Sequence, residues 1–80
     1  CIECRIMDKN LFHNRPAQMQ DWQLVRLDIT EITADSKAIL ARYKLFGPPA
    51  LLYYQDGQLV NQQVGEIGRA AFEQTLTALN

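Results

Sequence analysis

The sequence has no long run of apolar residues and no excess of charge of either sign. The longest uninterrupted apolar run, at positions 50–54, has five residues, whereas a transmembrane helix needs about 20. No segment is therefore predicted to insert directly into a membrane. Lysine and arginine number 8 and aspartate and glutamate 9, and both signs are interspersed, so the pattern predicts no nucleic-acid partner. Eighty residues suffice for one small domain, predicted over 1–80.

Cysteine is also scarce, since the chain has 2, at Cys1 and Cys4. A secreted domain stapled by disulfides usually carries several pairs, spread along the chain to close long loops. A bridge between these two residues closes so short a loop that it would stabilise the fold only weakly. A structural zinc site needs a full tetrahedral set of ligands, and only His13 and Asp8 are candidates to complete one. We therefore predict no metal and no cofactor, with zinc binding kept as an alternative to redox chemistry.

Apolar periodicity predicts the element order helix, strand, helix, strand, strand, helix. The helices are predicted over residues 2–11, 34–43 and 69–79, and the strands over 23–29, 50–54 and 59–64. Residues 16–21 are predicted to add a short turn, and Asp56-Gly57 is a strong hairpin signal. The first strand is predicted to be interior, and the second helix to bury Ala38, Ile39, Leu40, Ala41 and Tyr43. This order predicts an α/β sandwich, a small mixed sheet with helices on both faces.

A dithiol at a helix start has a physical rationale. Unpaired backbone N–H groups and the positive end of the helix dipole favour a thiolate, which is the nucleophile of disulfide exchange. At positions i and i+3 the two sulfurs lie on nearly the same face, so one can resolve a mixed disulfide formed by the other. We predict that Cys1 is the attacking thiol and Cys4 the resolving thiol.

Asp8 lies four residues after Cys4, on the same face one helical turn further on. A partly buried carboxylate at that place can take and return the Cys4 proton during exchange. The alternative is a surface aspartate that pairs with Arg5 or Lys9. Asp8 is therefore a candidate catalytic residue beside the two cysteines.

The chain resembles the thioredoxin superfamily over essentially its whole length. The resemblance rests on Cys-x-x-Cys at a helix start, a strand ending Leu27-Asp28-Ile29-Thr30, a helix leading into Tyr43-Lys44-Leu45-Phe46-Gly47, and Pro48-Pro49 before an apolar strand and Asp56-Gly57. Within the superfamily, the same segments resemble the C-terminal periplasmic domain of the DsbD family of thiol:disulfide interchange proteins.

The resemblance implies a protein-disulfide reductase that passes electrons by dithiol–disulfide exchange. The donor would be a membrane-embedded dithiol of the parent protein, and the acceptors would be disulfide-bearing protein partners. The implied location is the periplasm, as a domain of an inner-membrane protein of electron transport and cytochrome c biogenesis. The alternatives are a free-standing thioredoxin-like reductase and a thioredoxin-fold binding module without catalytic activity.

The resemblance also implies that Pro49 is a cis proline facing the dithiol, where it exposes the preceding backbone for strand-like pairing with a substrate. Pro48 and Pro49 are thus the candidate substrate-binding residues. Two features depart from the family. Its members more often have Thr, Val, Ile or Leu where this chain has Pro48, and they have a central strand immediately before the dithiol. Without that strand, residues 23–29 and 50–54 would have unpaired edges, so we expect an N-terminally truncated domain.

Overall fold

The computed structural model describes residues 1–27, 33–44 and 49–80. The elements in chain order are α1 (Ile2–Met7), a π-helical segment (Asp8–His13), a 3-10 turn (Ala17–Met19), α2 (Ala34–Arg42), β1 (Ala50–Gln55), β2 (Gln58–Val64) and α3 (Arg69–Leu79). The predicted α/β class is confirmed. Two compact units divide the chain: a helical unit of Cys1–Val25 with Glu66–Asn80, and a hairpin unit of Arg26–Gly65.

The first helix of the helical unit begins directly after Cys1. Its α-helical part continues without a break into the π-helical segment, whose hydrogen bonds run from i to i+5. The predicted helix is confirmed and extends two residues beyond Leu11, to His13. Met7 and Leu11, at i and i+4, are the residues that it buries, with 3% and 0% of their surface exposed.

The closing helix α3 packs against the first helix and the 3-10 turn. Phe72 and Leu76 are its buried residues, at the i, i+4 spacing of an amphipathic helix. The ring of Phe72 meets the ring of Phe12 edge to face, with centroids 5.5 Å apart, an arrangement that aromatic pairs favour. Together with Met19, these side chains form one small apolar core.

The C-terminal end of α3 is tied down by Asn80. The indole Nε1–H of Trp22 donates to Oδ1 of Asn80 over 2.7 Å, and Nδ2 of Asn80 donates to the Gln18 carbonyl over 2.9 Å. The side chain of Asn80 therefore joins the end of α3 to the segment around the 3-10 turn. The short turn predicted from the sequence is confirmed as this 3-10 turn.

The hairpin unit contains the antiparallel pair β1 and β2. Gln55 pairs with Gln58, which leaves a two-residue loop of Asp56 and Gly57 with φ of 53° and 78°. Positive φ at both positions is the signature of a type I′ turn, which matches the twist of paired strands. The predicted hairpin and its turn are confirmed. A bulge follows at Val60, because the register shifts by one residue there.

Tyr53 is the buried residue of β1. Its hydroxyl donates to Oε1 of Gln63 over 2.5 Å, and burial raises the pKa of this hydroxyl to about 12. The neighbouring Tyr54 is exposed and shares a hydrogen bond between hydroxyls with Tyr43. That hydrogen bond raises the pKa of Tyr54.

Helix α2 begins with a capping box. Thr33 Oγ1 accepts from the Ser36 N–H over 3.1 Å, and Ser36 Oγ accepts from the Thr33 N–H over 2.8 Å. The prediction of its buried face was partly wrong, because Ala38 and Ala41 are exposed whereas Ser36 is buried. The capping box holds the Ser36 side chain against the helix start, which accounts for the burial of this polar residue.

The predicted interior strand over residues 23–29 was wrong in its described part. Residues 23–27 are irregular, and Val25 and Leu27 are 80% and 62% exposed. A strand forms only when a neighbour accepts its ladder of hydrogen bonds, and the pairing seen in the described residues joins β1 to β2. Within the described residues, the sheet is therefore purely antiparallel, whereas a mixed sheet was predicted. Positions 28 and 29 lie outside the described residues.

Candidate functional site: a dithiol at a helix start

Cys1 and Cys4 are joined by a disulfide, with Cα atoms 5.3 Å apart, inside the range usual for such bonds. Cys1 is exposed and Cys4, one turn further along the helix, is half-buried. Cys1 is therefore the more exposed of the two cysteines. This is the order in which an attacking and a resolving thiol are needed, although the two roles remain predictions.

The first turn of α1 places its backbone donors at the outer sulfur. Cys1 is the N-cap residue, and its Sγ accepts from the Cys4 N–H over 3.2 Å. The N–H groups of a helix start have no partner within the helix, and a negative charge is stabilised there. The same N–H is therefore in place to stabilise a thiolate at Cys1 once the disulfide has been reduced.

Asp8 ends α1 and begins the π-helical segment. Its backbone N–H donates to the carbonyls of Cys4 and Arg5, which fixes it one turn after the inner cysteine. The residue is half-buried and its Oδ1 atom is buried. The structure thus places Asp8 on the dithiol helix as the sequence indicated, and its proton-transfer role remains a prediction.

Arg69, in the first turn of α3, clamps the other end of the dithiol helix. Its Nη1 donates to the carbonyl of Asn10 over 2.9 Å and to that of Asn14 over 2.6 Å. Its Nε donates to Oε1 of Glu73 over 3.1 Å. Carbonyls at a helix C-terminus have no partner within the helix, and a cation is favourable there.

Sequence reasoning missed Arg69. A signal was present, because a cation in the first turn of a helix lies at the unfavourable end of that helix's own dipole. Such a residue at the start of α3 indicates a partner elsewhere. Which carbonyls it contacts could be learned only from the fold.

Of the two prolines predicted to bind substrate, Pro49 belongs to the hairpin unit, whereas the dithiol and Asp8 belong to the helical unit. Pro49 is buried just before β1, and its carbonyl accepts from the Gly65 N–H over 2.9 Å. Pro48 lies outside the described residues. The predicted pairing of a substrate backbone beside Pro49 therefore stays a prediction.

Residues that could hold a metal are few. His13 is exposed at the end of the π-helical segment. Within residues 1–27, 33–44 and 49–80, no three or more His, Cys, Asp or Glu side chains are grouped closely enough for a metal site. Over the same residues, no helix has the length and apolar character required to cross a membrane.

Similar proteins align with nearly the whole length of this sequence. The thiol:disulfide interchange protein DsbD of Pseudomonas fluorescens is 38% identical over 82 aligned positions, which cover 96% of this chain and 14% of that protein. DsbD of Ralstonia nicotianae is 33% identical over 99% of this chain and 13% of that protein. A thioredoxin of Mycoplasmoides gallisepticum is 22% identical over 95% of this chain and 71% of that protein. No protein-family profile and no solved structure matches.

These relatives bear on the predicted resemblance in two ways. The DsbD proteins match at 33% identity or more across almost all of the chain, although the chain spans only about a seventh of their length. The thioredoxin matches over most of its own length. The predicted resemblance is thereby confirmed: this chain is similar over almost all of its length to a segment of the thiol:disulfide interchange protein DsbD, and also to a thioredoxin.

Proposed function

We propose that Cys1 and Cys4 form the redox centre of a protein-disulfide reductase. The observation that carries this proposal is the disulfide between an exposed Cys1 and a half-buried Cys4 at the start of one helix. A four-residue loop adds little stability to a fold, so the bond is better explained by chemistry than by structure. The names of the DsbD and thioredoxin relatives support the same chemistry.

The reaction would proceed in two exchange steps, starting from the reduced protein. The Cys1 thiolate attacks one sulfur of a partner's disulfide, so that a Cys1–partner bond forms and the second partner sulfur leaves as a thiolate. The Cys4 thiolate then attacks Sγ of Cys1, closing the intramolecular disulfide and releasing the first partner sulfur. Two electrons pass to the partner, whose thiolates take up two protons. A dithiol donor reverses these steps on this chain to restore the reduced form.

Asp8 would serve the second step as the base that removes the proton of Cys4. Its place one turn after Cys4, with one carboxylate oxygen buried, supports this role. We expect Asp8→Asn to flatten the pH dependence of the resolution rate in stopped-flow measurements. Asp35→Asn, a change at an exposed carboxylate of α2, is the control. A pH profile for Asp8→Asn that matches the wild type would remove Asp8 from the mechanism.

Pro48 and Pro49 would shape the surface on which the partner's backbone lies. The buried position of Pro49 immediately before β1 supports a fixed backbone at this point. We expect Pro49→Ala to raise KM for a protein disulfide. If KM stays at the wild-type value, the two prolines do not contact the substrate.

For the direction of electron flow, we propose transfer from a membrane-embedded dithiol of the parent protein to disulfide-bearing partners in the periplasm. The support is the match to DsbD proteins, which are several times longer than this chain. A free-standing reductase would instead accept electrons from a soluble donor. Reduction of the purified protein by membranes containing the remainder of a DsbD protein, and not by a soluble reductase, is the expected result.

The experiment that tests the central proposal is trapping of the mixed disulfide. The Cys4→Ser variant should accumulate a covalent complex with a disulfide protein such as insulin, detected by mass spectrometry and dissolved by reductant. The Cys1→Ser variant should accumulate none. Trapping by Cys1→Ser alone would reverse the two roles, and no complex with either variant would favour the non-catalytic alternative.

A further inference from the structure

An apolar stripe runs along the exposed side of the dithiol helix. Ile2, which lies between the two cysteines, is 75% exposed, and Ile6, one turn further on, is 38% exposed. The spacing of four residues places both on one helical face. Neither side chain belongs to the core of the helical unit, to which the same helix contributes Met7 and Leu11. The stripe therefore contributes exposed apolar surface beside the reacting sulfur.

Covalent geometry indicates what covers this stripe during a reaction. In any mixed disulfide with Cys1, the Cα atom of the partner's cysteine lies within about 7 Å of the Cys1 Cα atom. The Cα atom of Ile2 is about 3.8 Å from that of Cys1. A side chain next to the partner's cysteine is thus within reach of Ile2, and burial of apolar surface from water favours an apolar side chain there.

We propose that Ile2, assisted by Ile6, selects partner disulfides whose cysteine is flanked by an aliphatic side chain. This inference rests on the proposed function, since it concerns the partner of the same dithiol. The contact forms only when the partner is seated against Cys1, so it acts on kcat/KM for the first exchange step. Ile2 is a specificity-determining residue, and the two sulfurs remain the reacting groups.

The test compares two disulfide-linked peptide dimers that differ in one residue beside the cysteine. One carries leucine and the other asparagine, which has a similar size and no charge. The reduced protein is mixed with each dimer and with hydroxyethyl disulfide, a small reagent without side chains. Dividing each peptide rate by the reagent rate corrects every variant for changes in thiol reactivity. Val25→Ser is the matched control, because Val25 is 80% exposed in the same unit but lies off the dithiol helix.

We expect the wild type to prefer the leucine peptide and Ile2→Ser to lower that preference about fivefold, the effect of losing a partly buried aliphatic contact. Ile6→Ser should lower it less, and Val25→Ser should retain it. An equal preference in the wild type and Ile2→Ser would overturn the inference, as would an Ile2→Ser variant whose reagent-corrected rate with the leucine peptide equals that of the wild type. Failure of the wild type to react even with the reagent would overturn the proposed function itself.

Discussion

The two compact units of the chain are stabilised in different ways. Among the described residues, five of the six buried large apolar side chains belong to the helical unit, namely Met7, Leu11, Met19, Phe72 and Leu76. The sixth, Tyr53, belongs to the hairpin unit and carries a hydroxyl that is hydrogen-bonded to Gln63. In the hairpin unit, the aliphatic residues of β2 are exposed by 39% to 55%: Leu59, Val60 and Val64.

This difference matters for the proposed chemistry. The helix that carries the dithiol is packed into an apolar core and held at its far end by Arg69, so its first turn is presented on a fixed support. The hairpin unit relies on strand pairing, a turn and tyrosine hydrogen bonds. We therefore expect substitutions of buried apolar residues to have their largest effect in the helical unit. The stability of the hairpin unit should instead respond to backbone conformation in its turn and to ionisation of a buried tyrosine.

The largest effect should come from a buried leucine of the helical unit, compared with a more exposed leucine of the hairpin unit. Leu76→Ala removes a side chain that is 1% exposed, and we expect it to lower the free energy of unfolding by about 2–5 kcal/mol because it leaves a cavity. Leu59→Ala, at a position 39% exposed, should cost about 1 kcal/mol or less. Urea unfolding followed by circular dichroism measures both. Equal costs would remove the contrast between the units.

A smaller loss of stability is expected when the clamp is removed, that is, the hydrogen bonds from Arg69 to the end of the dithiol helix. Arg69→Met keeps most of the apolar length but leaves the carbonyls of Asn10 and Asn14 without their guanidinium donor. We expect a loss of about 1–2 kcal/mol in urea unfolding. Glu73→Gln breaks only the partly exposed ion pair and should cost about 0.5 kcal/mol or less. If the Glu73 change costs as much as the Arg69 change, the ion pair and not the clamp stabilises this end of the helix.

In the hairpin unit, the turn should be sensitive to backbone conformation. Gly57 has φ of 78° and no atom within 4 Å of an added Cβ, so Gly57→Ala tests conformation without a clash. We expect a cost of about 1 kcal/mol, because a residue with a Cβ atom disfavours positive φ. Asp56→Asn is the control, since asparagine tolerates positive φ. A neutral Gly57→Ala in urea unfolding would contradict the type I′ turn.

The last prediction is a pH dependence of stability that is confined to alkaline solution. The pKa of Tyr53 is raised to about 12 in the folded protein, whereas an exposed tyrosine ionises near about 10. Below about pH 10 the residue is neutral in both the folded and the unfolded state, so it contributes nothing to the pH dependence of the free energy of unfolding. Between these values the unfolded chain loses the proton first, so the free energy of unfolding falls as pH rises.

Tyr53→Phe should lose part of that alkaline slope in urea unfolding at graded pH. Tyr54→Phe, at the exposed neighbour, is the comparison and should change the slope less. An unaltered slope in Tyr53→Phe would show that burial of this hydroxyl is not the cause.

Sequence reasoning succeeded where the determinants are local. The dithiol helix, the capped helix α2, the Asp56-Gly57 turn and the amphipathic helix α3 all follow from caps, turn residues and periodicity. It failed at residues 23–27, because alternation of apolar residues makes a strand only where a pairing neighbour exists. The contacts of Arg69, 59 residues from Asn10, depend on tertiary packing that no local pattern encodes.

The candidate site shows the same division. The two cysteines and the position of Asp8 could be read from spacing along one helix, and the structure places all three there. Pro49 belongs to another unit of the chain, and spacing along the dithiol helix gives no information about its proposed part in substrate binding. The clamp that supports the dithiol helix was likewise found only in the fold.

The most direct test of the account is a thiol–disulfide equilibrium of the purified protein in glutathione buffers of graded ratio. The oxidised fraction of Cys1 and Cys4, read by alkylation and mass spectrometry, should change reversibly as a single two-electron transition. A reductase predicts a midpoint near that of thioredoxin, about −270 mV. A pair that stays in one state across the whole range, or that changes only on removal of zinc, would contradict the claim that these two cysteines are the redox centre.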